Sequence, residues 1–126
     1  MKNVLLVDDD TIFNYMNSKL LERSGKAKDV HVAWNGKQAL DLFNEYFQGS
    51  KALPDIIFLD LSMPVMDGFQ FLEAFRKLPV PGKEEVRIVV LSSSLDARDI
   101  DKAKQLGVFR FLNKPLREEA LTEVMA

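Results

Sequence analysis

The 126-residue sequence has no cysteine and one histidine, His31. The first absence removes disulfides and thiolate metal sites. It also fits a cytoplasmic protein, which is the expected location. Neither sign of charge dominates: 17 Lys and Arg stand against 19 Asp and Glu, for a formal net charge of -2. Without a basic excess, direct binding to nucleic acid is not expected. No run approaches the roughly 20 apolar residues of a membrane span. Met1-Lys2-Asn3 leads into a short apolar stretch ended by acids, not into the longer apolar region and small-residue cleavage site of a signal peptide. No internal repeat, low-complexity tract or interdomain linker is visible, so residues 1–126 read as a single domain.

What is present is a regular alternation. Short apolar runs with strand character lie at Val4 to Val7, Val30 to Ala33, Ile56 to Leu59, Ile88 to Leu91 and Phe109 to Leu112. "IIFL" and "IVVL" are apolar without a period of two, as in strands covered on both faces. Helical patterns separate them. The first places Ile12, Phe13, Met16, Leu20 and Leu21 on an apolar face, with Asp10 as an N-cap candidate and Gly25 as a C-cap. The second, opened by Asn35, carries Ala39, Leu40, Phe43 and Phe47. The third carries Phe69, Leu72 and Phe75. The fourth, capped by Asp96, turns Ile100, Ala103 and Leu106 inward and ends at Gly107. The fifth carries Leu116, Ala120, Leu121 and Val124. "LPVPGKEEV", Leu78 to Val86, reads as a surface loop. Five β-α units in this order predict a parallel sheet with helices on both faces, an α/β fold. In such sheets, sites form at the carboxyl ends of the strands.

The residues that follow the strands should therefore converge. They are Asp8, Asp9 and Asp10 after the first strand, Asp60 after the third, Ser92, Ser93 and Ser94 after the fourth, and Asn113, Lys114 and Pro115 after the fifth. Clustered carboxylates are costly unless a cation joins them. Oxygen donors alone point to a hard ion, Mg²⁺ rather than Zn²⁺. A metal site with a lysine and a hydroxyl beside it suits phosphoryl chemistry, and a carboxylate there can be the nucleophile.

The set "LLVDDD", "NGKQAL", "DIIFLDLSMPVMDG", "VVLSSS" and "FLNKPL", in this order from Val4 to about Met125, resembles the response-regulator receiver domain of two-component signalling. The resemblance implies a CheY-like, flavodoxin-like (βα)5 fold with strand order 2-1-3-4-5. It implies Asp60 as phosphoacceptor. Asp8, Asp9, Asp60 and the backbone carbonyl of Ser62 would hold Mg²⁺, Asp9 more directly and Asp8 partly through water. Ser92 and Lys114 would face the phosphoryl group, and Phe111 takes the switch-aromatic position. Ser62 and Ser94 occupy positions that tune dephosphorylation, and the Lys114-Pro115 peptide is expected to be cis. Asp10 is left to cap the first helix.

The implied partner is a sensor histidine kinase or a histidine phosphotransfer protein, and the receiver is expected to stand alone without an output domain. It would signal through a protein contact or a phosphorelay to a target the sequence does not identify, and would not act as an enzyme on a separate substrate. A haloacid-dehalogenase-like phosphatase would need a second Asp two residues after its nucleophile, where this sequence has Ser62. A binding module with a vestigial site sits poorly with Asp8, Asp9, Asp60, Ser92 and Lys114 all being present.

Overall fold

A computed structural model describes residues 2–49, 53–79, 81–92 and 96–125, leaving aside the side chain of Phe47. The elements alternate as β1 (Lys2–Val7), α1 (Thr11–Ser24), β2 (Ala27–Ala33), α2 (Gly36–Phe47), β3 (Ile56–Leu59), α3 (Gly68–Lys77), β4 (Arg87–Ser92), α4 (Ala97–Gln105), β5 (Arg110–Asn113) and α5 (Glu118–Val124). A short 3-10 turn at Lys83–Glu85 interrupts the α3–β4 connection. The five strands form one parallel sheet in the order β2-β1-β3-β4-β5. This is the flavodoxin-like architecture expected.

Alternation along the strands sorts the core into two layers. Leu5, Val7, Ile57, Leu59 and Ile88 pack with Phe43, Tyr46, Phe71, Phe75 and Ala103 from α2, α3 and α4. Val4, Leu6, Ile56, Phe58, Val89 and Leu91 pack with Leu21 of α1 and with Leu121 and Val124 of α5. Each strand thus feeds both layers, which is why β3 and β4 read as unbroken apolar runs. The first layer is the more aromatic: Phe43 meets Tyr46 and Phe75 edge to face at 5.0 and 5.1 Å.

Local signals set the helix ends. The Asp10 carboxylate accepts from the N–H groups of Ile12 and Phe13, Asn35 from Gln38 and Asp96 from Asp99. Asp67 and Gln70 form a reciprocal capping box at α3. Gly25 ends α1 in the left-handed region at φ 68°.

Several expectations change. β5 runs one residue later than the expected Phe109 to Leu112, and Phe109 is exposed because its ring lies against the guanidinium groups of Arg87 and Arg110. β2 begins at Ala27, three residues before its apolar run, because its polar start still pairs with β1 across a register shift between Lys2 and Val4. Leu116 is buried in the connection before α5 and not within the helix. The apolar residues expected on α1 are split: Ile12 is 70 % exposed and Met16 is also exposed, whereas Phe13 and Leu20 are half-buried and Leu21 is buried, as are Asn14 and Asn17. Hydrophobic spacing does not report this split, since the buried Asn14 amide is directed at the Asp8 carbonyl.

Candidate functional site

The site begins with backbone pairing that places each strand end. Asp60 N–H donates to the Val7 carbonyl at 2.9 Å, and Asp8 N–H to the Ala33 carbonyl at 3.1 Å. These bonds continue the β1–β3 and β1–β2 ladders one step, so the residues after β1 and β3 emerge side by side. Lys114 N–H donates to the Ser92 carbonyl at 2.9 Å, which brings the residue after β5 against the end of β4. The Lys114-Pro115 peptide is cis. Gly68 lets α3 start close under this edge: a Cβ there would sit 2.6 Å from the Asp60 carbonyl oxygen.

The side chains form a buried charge cluster. Lys114 Nζ lies 2.7 Å from Asp8 Oδ2 and 3.4 Å from Asp60 Oδ2, with all three side chains almost fully buried. Asp8 Oδ1 accepts from Asp10 N–H at 2.9 Å, and Asp60 Oδ1 from Ser62 N–H at 3.3 Å. Asp9 is exposed beside them, and Asp8, Asp9 and Asp60 each offer a carboxylate oxygen within 4.8 Å of the others. One ammonium therefore serves two of the three carboxylates, Asp8 and Asp60. Burial, and then the charge of Asp8, raise the Asp60 pKa above its ordinary value; Lys114 and the Ser62 N–H only partly offset this. Burial alone would lower Lys114, but its hydrogen bond to Asp8 and the charges of Asp60 and Asp8 outweigh it, so its pKa is raised.

This donor set fits a hard divalent cation. It supplies only oxygen ligands and carries negative charge beyond what Lys114 balances. Asp8 is engaged by Lys114 and by the Asp10 N–H, whereas Asp9 faces outward.

Among the other expected residues, Ser92 is buried at the end of β4, in register with Asn113 of β5. Ser62 is exposed in the loop after Asp60. Phe111 is half-buried and packs against the aromatic layer. Ser94 lies outside the described residues, as does Ser93.

The structure adds residues that sequence reasoning left aside. The Asn14 side-chain amide donates to the Asp8 carbonyl at 2.8 Å, in a buried position. The Phe13 ring stands 4.6 Å from Lys114 Nζ, centroid to nitrogen. The available signal was position: both lie in the first turn of a helix that starts three residues after Asp8. Val65, in the loop between β3 and α3, is the one non-glycine with positive φ among the described residues, at 67°, and is 77 % exposed. A β-branched residue is strained there.

Among the described residues no helix is long and apolar enough to cross a membrane. The family model for the response regulator receiver domain matches residues 4–126. The chain is 32 % identical to a two-component response regulator from Cytophaga hutchinsonii, covering 97 % of this chain and 92 % of that one, with a TM-score of 0.88. The chemotaxis response regulator CheY4 of Vibrio cholerae aligns at 30 % identity and TM-score 0.78, covering 99 % of this chain and 96 % of that one. The protein-glutamate methylesterase/protein-glutamine glutaminase of Desulfotalea psychrophila is 39 % identical over 118 residues, or 91 % of this chain. The chain spans only 30 % of that protein's length. By the family match across nearly its whole length and by its CheY-like fold, this chain belongs to the response regulator receiver domains of two-component signalling.

Proposed function

We propose that the chain is a phosphoacceptor and that Asp60 is the acceptor residue. The observation that carries this reading is the Asp60 carboxylate, 6 % exposed, with Lys114 Nζ at 3.4 Å and two further carboxylates within ligand reach. The donor is a phosphohistidine of a sensor kinase or phosphotransfer protein. An Asp60 oxygen attacks phosphorus in line, the new P–O bond forms as the P–N bond breaks, and the leaving imidazole takes a proton. Lys114 and the Ser92 hydroxyl face the phosphoryl oxygens, where an ammonium and a donor offset developing charge. Mg²⁺, held by Asp8, Asp9, Asp60 and the Ser62 carbonyl, would neutralise phosphoryl charge.

Asp8 has a second task in this reading. Its 2.7 Å pair with Lys114 keeps the ammonium at the site before the phosphoryl group arrives. Modification adds negative charge where burial already disfavours it, and Phe111, half-buried beside the end of β4, is placed to transmit a shift toward α4, β5 and α5. The chain acts on itself and not on a separate substrate. Its output is a protein contact or onward transfer.

The test is incubation with acetyl phosphate and Mg²⁺, followed by intact mass. A phosphoryl adduct is expected in the parent protein. It should be absent in Asp60→Asn and lost with a chelator, and an adduct that survives Asp60→Asn would move the acceptor elsewhere.

A further inference from the structure

Lys114 has a third partner besides its two carboxylates. An ammonium has three N–H donors. Asp8 and Asp60 lie at 2.7 and 3.4 Å from it, and the Phe13 ring at 4.6 Å from Nζ to the centroid. Phe13 is half-buried, yet it belongs to neither apolar layer of the core. Its ring is therefore not accounted for by core packing. Lys19 also approaches a ring, that of Tyr15 at 5.6 Å, but its side chain is half exposed, whereas that of Lys114 is 7 % exposed. Attraction between a cation and a ring face grows when water is excluded. The Asp10 cap holds the backbone from which the ring projects, since its carboxylate accepts from the N–H of Phe13 itself at 3.2 Å.

We propose that Phe13 is a positioning residue of the site, whose ring holds the Lys114 ammonium in place between Asp8 and Asp60. The proposal rests on the phosphoacceptor reading for its effect on rate, though not for the contact itself. A cation gathered by Asp8, Asp9 and Asp60 competes with Lys114 for the charge of the same carboxylates. The ring is the partner that such a cation does not contest. It keeps the ammonium directed at the site when the carboxylates are engaged elsewhere. An aliphatic side chain of similar bulk fills the space without that attraction.

The experiment has two readouts on the full chain. The first is the proton shift of the Lys114 ε-methylene by NMR, with and without Mg²⁺. A ring over the ammonium moves it upfield; the shift should persist with Mg²⁺, survive in Phe13→Tyr and disappear in Phe13→Leu. The second is the rate of phosphorylation by acetyl phosphate. Phe13→Leu should slow it about five- to tenfold, as expected for a desolvated cation–ring contact, and Phe13→Tyr should restore it. Phe13→Leu should add nothing to the defect of Lys114→Ala. An unshifted ε-methylene in the parent protein overturns the proposal without any variant. So does a folded Phe13→Leu protein that phosphorylates at the parent rate. If the parent protein takes no phosphoryl group at all, the acceptor reading fails, while the methylene shift still decides the contact.

Discussion

The layer built by α2 and α3 and the end of the sheet that faces α1 are organised on opposite terms. The first is apolar and aromatic: Phe43, Tyr46, Phe71 and Phe75 interlock under Leu5, Val7, Ile57 and Leu59. The second holds buried polar and charged groups, namely Asp8, Asn14, Asp60, Ser92 and the side chain of Lys114. Burial in the first region removes apolar surface from water and stabilises the fold. Burial in the second strips water from charge and is only partly compensated. The molecule thus keeps its stability in the apolar layers and its destabilised chemistry at one edge, as expected where reactivity needs groups held away from their most stable state.

Substitutions separate the two regions, beginning with the largest expected effect. Phe43→Ala empties a buried aromatic site and should cost about 3–5 kcal/mol in denaturant unfolding. Tyr15→Ala, on the outward face of α1, should stay within about 0.5 kcal/mol. Equal costs would mean that the outward face of α1 is part of the core after all. Asn14→Ala removes the buried bond to the Asp8 carbonyl and should cost about 1–3 kcal/mol. A neutral result would show that the polar end of the sheet does not depend on that bond.

Asp60→Asn should have the opposite sign. The raised pKa of Asp60 means that the folded state favours the protonated carboxyl. Its contribution to stability is complete below the unfolded value and is lost as pH rises through the folded one. In chelator at neutral pH the ionised carboxylate therefore destabilises the fold, and the amide does not. Asp60→Asn should raise Tm at pH 7, and the gain should vanish below about pH 4, where the unfolded carboxyl is itself protonated. A variant less stable than the parent at pH 7 would break the contrast between the regions.

Much of this was legible in the sequence because its signals are local or periodic. "IIFL" and "IVVL" announced strands buried on both faces, and Asp10, Asn35 and Asp96 sat where helix caps belong. The β-α alternation carried Asp8, Asp60 and Lys114 to one edge before any distance was known. α1 was legible in its ends and in Leu20 and Leu21, which face the core, but not in Ile12 and Met16, whose helical spacing does not show that they point outward. Asn14 and Phe13 act on atoms of Asp8 and Lys114 that only the folded chain brings near. The start of β2 was hidden because Lys28 and Asp29, both exposed, interrupt its apolar pattern after Ala27.

The most direct measurement of the central claim locates the acceptor. The chain would be phosphorylated with acetyl phosphate and Mg²⁺, reduced with borohydride to convert the acyl phosphate to an alcohol, and mapped by peptide mass. The account predicts homoserine at position 60 and nowhere else. Homoserine at position 8 or 9, with position 60 still aspartate, would contradict it.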